Sequence, residues 1–277
     1  MKTPYLRVLS IARPRYWLVL CLLFGTPAVA QGPDAVSMSA AEAEALGIRI
    51  WHNETGGRMD RLLWWNRGEE FASLGIGHFI WYPRHYDGPF RETFPALVEH
   101  LRSSGVALPS WLDKSPPPPN PWSTREAFLA ATGDVRRLDL QELLEGTLGQ
   151  QSRFLVQRLE QAVPLLLAAV PGERRAIIRR RLESLLATPA GRYALVDYVN
   201  FKGEGLDPRE RYQGEGWGLL QVLDAMTGTP SAAVADFAAA ADRVLTRRVA
   251  NADPSRHEER WLPGWRRRLT TYTDAHE

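Results

Sequence analysis

Ile50–Pro83, IWHNETGGRMDRLLWWNRGEEFASLGIGHFIWYP, is the stretch on which the reading of this chain turns. Its first residues close a helix. Ser39 is placed to cap the start, Glu42 three residues on is its capping-box partner, and Ala45, Leu46, Ile48, Ile50 and Trp51 supply an apolar stripe. Glu54 falls at the helix end, just before the break at Gly56-Gly57. Phe71, Leu74, Ile76, Phe79 and Trp81 are then interleaved with Ser73, Gly75, Gly77 and His78, a run too glycine-rich for a helix and suited to a β-hairpin with close backbone approach. A carboxylate on a helix end, faced by a small sheet, outlines a cleft.

Working outward, the chain reads as α+β and predominantly α-helical. Phe94, Leu97, Val98 and Leu101 recur at helical spacing within 91–104, and a helix follows Ser123 as its cap, with Phe128 and Leu129 pointing inward. Residues 138–170 are helical in pattern, with Gly146 and Gly149 as candidate breaks and Pro164 expected to kink or restart the helix. Further helices are predicted after Pro171, over 193–201 ending at Gly203, and from Val234 to Val249, with a charge- and tryptophan-rich finish at 256–265. The polyproline run 115–121 is an extended surface loop. It suits a linker or a loop within one domain.

Residues 1–30 read as a cleavable signal peptide: Lys2, Arg7, Arg13 and Arg15 precede the apolar run Trp17–Phe24, and Ala28-Val29-Ala30 offers a cleavage site after Ala30. The apolar run is too short to span a membrane. Cys21, the single cysteine, lies inside it after Leu20, so no lipid anchor is expected. The expected organisation is signal peptide 1–30, flexible tail 31–38 and one domain 39–277, with the mature protein periplasmic or secreted. Removing the leader takes the 34 basic residues to 30 against 32 acidic ones, and near-neutrality gives no electrostatic footprint for nucleic acid.

Glu54-Thr55-Gly56 followed by Ser73-Leu74-Gly75-Ile76-Gly77-His78 resembles the phage-type lysozymes, in which a helix ends in Glu-Gly and a hairpin carries Thr-Ile-Gly-x-Gly-His. The resemblance implies a lysozyme-like helical domain with the hairpin beside the cleft. It also implies that Glu54 is the general acid and that Ser73 stands for the hairpin threonine. The family's aspartate has no counterpart here: its place falls near Asn66 or Arg67, and the nearest carboxylates are Glu69 and Glu70. Glu54-Thr55-Gly56-Gly57 and Gly218-Leu219-Leu220-Gln221 are also similar to segments of the soluble lytic transglycosylases, which use a single glutamate.

The residues themselves allow the same chemistry. Glycoside hydrolysis needs a protonated carboxyl to protonate the leaving oxygen and usually a second carboxylate across the sugar. Trp51, Trp64 and Trp65 near Glu54 in sequence would supply apolar surroundings of the kind that keep a carboxyl protonated. Glu69 and Glu70 are adjacent, so on a strand only one can face the cleft. Of the 10 tryptophans most belong in the core, but Trp65, Trp81 and Trp217 are candidates to stack on sugar, with His78 as a further contact. The glycine-punctuated segment 200–222 offers Glu204, Glu215, Trp217 and Gln221 as an opposite wall, with either glutamate able to replace the missing aspartate. No phosphate loop, nucleophile elbow or metal-ligand spacing is present, so no cofactor and no metal are expected. The expected partner is peptidoglycan or a related glycan, cleaved by a muramidase-like hydrolase or a lytic transglycosylase, or bound without catalysis.

Overall fold

Ser39 begins the fold as expected. Its hydroxyl accepts from the Glu42 amide at 3.2 Å while the Glu42 carboxylate accepts from the Ser39 amide at 3.0 Å, a reciprocal cap on α1 (Ala40–Thr55). Ala43, Leu46, Gly47 and Ile50 form the buried face, at i, i+3, i+4 and i+7. Ala45 and Ile48, part of the expected stripe, are exposed, because their positions fall on the opposite side of the helix. Gly56, with φ of 70°, ends α1 in the left-handed conformation.

The computed structural model describes residues 36–86 and 88–274. After α1 come three short strands, β1 (Leu63–Trp64), β2 (Ala72–Leu74) and β3 (Phe79–Trp81), antiparallel in the order β1-β2-β3. The expected hairpin is therefore β2–β3, with an additional strand paired to it; Ser73 lies between Trp64 and Ile80. The hairpin loop is held by the long helix below it. The Ile76 amide donates to Gln151 Oε1 at 3.0 Å, and the Gln151 amide group donates in turn to the Leu144 carbonyl at 2.7 Å. Gly75 has φ of +67°, and a Cβ on it would stand 2.4 Å from Gln151 Oε1. A Cβ on Gly77 would stand 2.7 Å from the Phe79 ring and 3.0 Å from Leu155.

The helices follow in order: α2 (Phe94–Ser103), α3 (Arg125–Ala130), α4 (Val135–Gly146), α5 (Leu148–Ala168), α6 (Gly172–Leu186) and α7 (Pro189–Lys202). A two-residue ribbon of β4 (Arg211–Tyr212) and β5 (Glu215–Gly216) precedes α8 (Leu219–Ala225), α9 (Ala233–Asn251) and α10 (Leu262–Thr270). The described residues are thus predominantly helical with small antiparallel sheets. Three boundaries differ from expectation. The cap of α3 is Thr124, whose hydroxyl accepts from the Ala127 amide, and not Ser123. The break in 138–170 comes at Thr147, between the two candidate glycines. α5 runs on through Pro164 without restarting. Ala162, Val163, Leu166 and Leu167 are all buried, and their packing outweighs the roughly 3 kcal/mol that an interior proline costs.

One apolar core joins Val36 and Met38 at one end of the described chain to Tyr272 at the other. Of the expected tail 31–38, residues 31–35 lie outside the described residues, whereas Val36 and Met38 are buried. The signal-peptide residues 1–30 also lie outside them. α5 packs against α1, α2, α6 and α7 and forms the central rod. The polyproline run lies along the edge of β3: its prolines cannot donate, but the Pro118 carbonyl accepts from Trp81 Nε1 at 3.1 Å, and the Asn120 amide donates to the Tyr82 carbonyl. No helix among the described residues is long and apolar enough to cross a membrane.

Candidate functional site

The C-terminal end of α1, the turn before β2, the hairpin loop and the C-terminal end of α7 surround a cavity of about 1060 Å³. Loop 203–210 and residues from α9 and α10 complete its lining. Glu54 reaches it because α1 stops one residue later and Gly56 turns the chain away. The Glu54 side chain is 16% exposed, and three groups hold its carboxylate. Arg268 of α10 forms an ion pair to Oε1 at 2.8 Å, Asn200 Nδ2 donates to the same oxygen at 3.4 Å, and His78 Nδ1 lies 3.6 Å from Oε2.

Arg268 does not belong to Glu54 alone. Its Nε and Nη2 both donate to Asp197 at 2.8 Å, a two-point contact with a fully buried carboxylate that also accepts from the Tyr272 hydroxyl at 2.6 Å. Burial opposes the Arg268 charge, but Asp197 and Glu54 outweigh it and hold the guanidinium well above its ordinary pKa. Arg268 is thus shared between two carboxylates, held by two bonds to Asp197 and by an ion pair to Glu54. Burial pushes His78 below its ordinary pKa against the pull of Glu54, so its imidazole is biased to the neutral form. His78 sits in the hairpin loop at φ of 49° and is oriented there by its neighbours, because the adjacent Gly77 carbonyl accepts from Asn200 Nδ2 at 3.0 Å.

Glu69 lines the same cavity. Trp64 Nε1 donates to Asn66 Oδ1 at 2.6 Å, Asn66 Nδ2 donates to Glu69 Oε2 at 3.0 Å, and Trp65 Nε1 donates to the Glu69 carbonyl at 2.7 Å. Two tryptophans and an asparagine therefore fix this glutamate from behind. Burial raises its pKa, opposed by the Asn66 hydrogen bond. Ser73 also lines the cavity from β2 and is 4% exposed. At the other end Glu204 pairs with Arg91 at 3.1 Å, and burial with Asp207 and Glu204 nearby raises Glu210 to about 7.

Of the residues singled out from sequence, Glu54, Glu69, Ser73, His78, Glu204 and Trp217 line this one cavity. Five others lie elsewhere. Glu70 is exposed and faces a separate groove beside the polyproline run. Trp81 is 0% exposed and packs on Phe94 with ring centroids 4.6 Å apart, so its area serves the core and not a sugar. Trp65 packs on Phe128 behind the wall. Glu215 is exposed and pairs with Arg247 at 3.2 Å. Gln221 caps α8 by accepting from the Gly218 amide and ties the Gly205 carbonyl to it, a structural tie across the glycine-rich segment. Sequence reasoning missed Arg268, Asp197, Asn200, Lys202 and Arg158. The available signal was on α7: Asp197 and Asn200 are polar residues spaced i, i+3 on a helix otherwise apolar over 193–199.

Among the described residues no group of three or more His, Cys, Asp or Glu is placed to hold a metal ion. No family model, curated protein or solved structure matches this chain.

Proposed function

We propose that the chain is a lysozyme-like glycoside hydrolase that acts on peptidoglycan or a related glycan outside the cytoplasm, with Glu54 as its general acid. The observation that carries this reading is the position of Glu54: a helix-end carboxylate opening onto a cavity whose lining also holds Glu69 and Ser73. Glu54 donates its proton to the glycosidic oxygen as the bond to the anomeric carbon breaks. Because Asp197 neutralises Arg268 in either state, protonating Glu54 leaves no buried cation without a counter-charge. Glu69, fixed by Asn66, orients the water that attacks the oxocarbenium-like centre, and Ser73 contributes a hydroxyl to the same water. The leader read at residues 1–30 accords with export to the periplasm or beyond.

A second reading rests on Glu69. The Asn66 hydrogen bond occupies one of its oxygens and lowers its basicity against the rise from burial, and a lytic transglycosylase needs no base there, since a hydroxyl of the sugar itself attacks. Mass spectrometry of soluble products from purified peptidoglycan tests both. Ordinary reducing ends that vanish with Glu54→Gln are expected for hydrolysis, whereas 1,6-anhydro ends would select the transglycosylase. No products from a folded wild type that still pulls down the polymer would reduce the protein to a glycan binder, and no pull-down would remove the glycan.

A further inference from the structure

Lys202 is the last residue of α7 and part of the cavity lining. Its ammonium lies 4.0 Å from the Phe201 ring centroid and 3.8 Å from that of Trp265, packed on ring faces. Among the described residues it makes no hydrogen bond and no ion pair. Three neighbouring cations are matched: Arg268 by Asp197 and Glu54, Arg248 by Glu258 at 2.8 Å, and Arg91 by Glu204. Nor does Glu258 have capacity left for Lys202, since both its oxygens already accept from Arg248, and Oε1 also from the Tyr212 hydroxyl and Arg256. Among the described residues two guanidinium groups of the lining also lack a carboxylate partner: Arg260 lies over the Trp261 ring, and Arg158 donates to Asn200 Oδ1 at 2.8 Å and more weakly to the Val199 carbonyl.

We propose that Lys202 is the receptor for a carboxylate on the substrate, so that the cavity selects an acidic glycan over a neutral one of the same shape. This rests on the glycan reading of the cavity and deepens it by naming the charged substituent. A cation packed on two aromatic faces in the cavity lining lacks one thing only, an anion, and a sugar-borne carboxylate would supply it with a charge-assisted hydrogen bond. Burial first, then Arg248 and Arg268, push the Lys202 ammonium well below its ordinary pKa, against Glu258 and Glu54. An arriving carboxylate reverses that bias, so binding takes up a proton wherever the free amine is deprotonated.

The test compares two uncleavable, thio-linked tetrasaccharides of alternating N-acetylglucosamine and N-acetylmuramic acid, one intact and one with its carboxyls reduced to alcohols. Calorimetry in Tris and in PIPES reads affinity and proton uptake together. The wild type is expected to bind the intact sugar at least about tenfold tighter, the equivalent of one hydrogen bond to a charged group, and with proton uptake. Lys202→Met is expected to lose the preference and the uptake while keeping its affinity for the reduced sugar. Equal affinities in the wild type would overturn the inference and leave the glycan reading intact. A preference retained by Lys202→Met would overturn it too, and would hand the role to Arg158. Binding of neither sugar would remove the glycan reading and the inference with it. The two-sugar comparison on the wild type stands even if Lys202→Met fails to fold.

Discussion

A double-mutant cycle on Arg268 and Asp197 tests the construction of the site. Asp197 is fully buried and accepts two bonds from Arg268 and one from Tyr272. Removing Arg268 strands the buried Asp197 carboxylate, at a cost of about 3–5 kcal/mol, whereas removing Asp197 leaves Arg268 its ion pair to Glu54 and costs less. For a domain of this size each kcal/mol moves the thermal midpoint by roughly 2–4 °C, so Arg268→Met alone should lower it by roughly 6–20 °C and Asp197→Asn by less. With both changed there is no Asp197 charge to strand, and the double variant should lose little more than Arg268→Met alone, giving a coupling about equal to the Asp197→Asn cost, roughly 2–3 kcal/mol. Thermal and guanidinium unfolding followed by circular dichroism would measure all four corners. Since Arg268 also touches Glu54, the cycle is repeated on a Glu54→Gln background, where the coupling should persist. Additivity within about 0.5 kcal/mol on both backgrounds would show that Arg268 is not held by Asp197, and the account of how Glu54 can be protonated would fall.

Other outcomes follow from single positions. Glu69→Gln should slow release of reducing ends by about 10²-fold or more if Glu69 orients the attacking water, and an unchanged rate with intact folding would remove it from that role. Gly77→Ala should cost about 1–3 kcal/mol in chemical denaturation, because its Cβ would meet the Phe79 ring at 2.7 Å. Wild-type stability there would mean that the loop does not sit against α5. Glu210, raised to about 7 from 4.5, binds a proton more readily folded than unfolded. Its contribution to stability is therefore present below about pH 4.5 and lost as pH rises through 7. Glu210→Gln should flatten that decline in a thermal-midpoint profile from pH 4 to 8, and superimposable profiles would refute it.

The legible parts of this chain are the ones written in short range. Ser39 with Glu42 and the glycine after Thr55 mark both ends of α1, and so place Glu54, from residues within one turn of each other. The hairpin was likewise legible in its alternation. The hairpin glycines read as places of close approach, but what approaches them was not legible: the contacts from beyond the hairpin are Gln151 and Leu155, more than seventy residues on. Arg268 and Asp197 are 71 residues apart and meet only through the packing of α7 and α10. Trp81 and Trp217 show why aromatic count is a poor guide. A ring suited to a sugar is equally suited to a core: Trp81 packs inward against Phe94, and Trp217, though it borders the cavity, is 4% exposed and covered by Arg248. Between Glu69 and Glu70 strand alternation would admit only one to the cleft without saying which; neither lies on a strand, and Glu69 is turned inward by Trp64, Trp65 and Asn66 in the turn before β2.

α5 touches three walls of the cavity. Ser152 meets Gly47 of α1, Gln151 and Leu155 hold the hairpin loop, and Arg158 reaches Asn200 of α7. The span from Gln151 to Arg158 is about 10 Å of rigid helix, and it sets the spacing between those walls as a ruler does. One residue inserted there would advance everything beyond it by about 1.5 Å and turn it by about 100°, parting Asn200 from Glu54 and the hairpin at once. Lengthening this helix in single steps is thus closed to drift and to engineering alike. A wider or narrower cavity has to come from loop 203–210, which forms one side of the lining and carries none of these ties to α5.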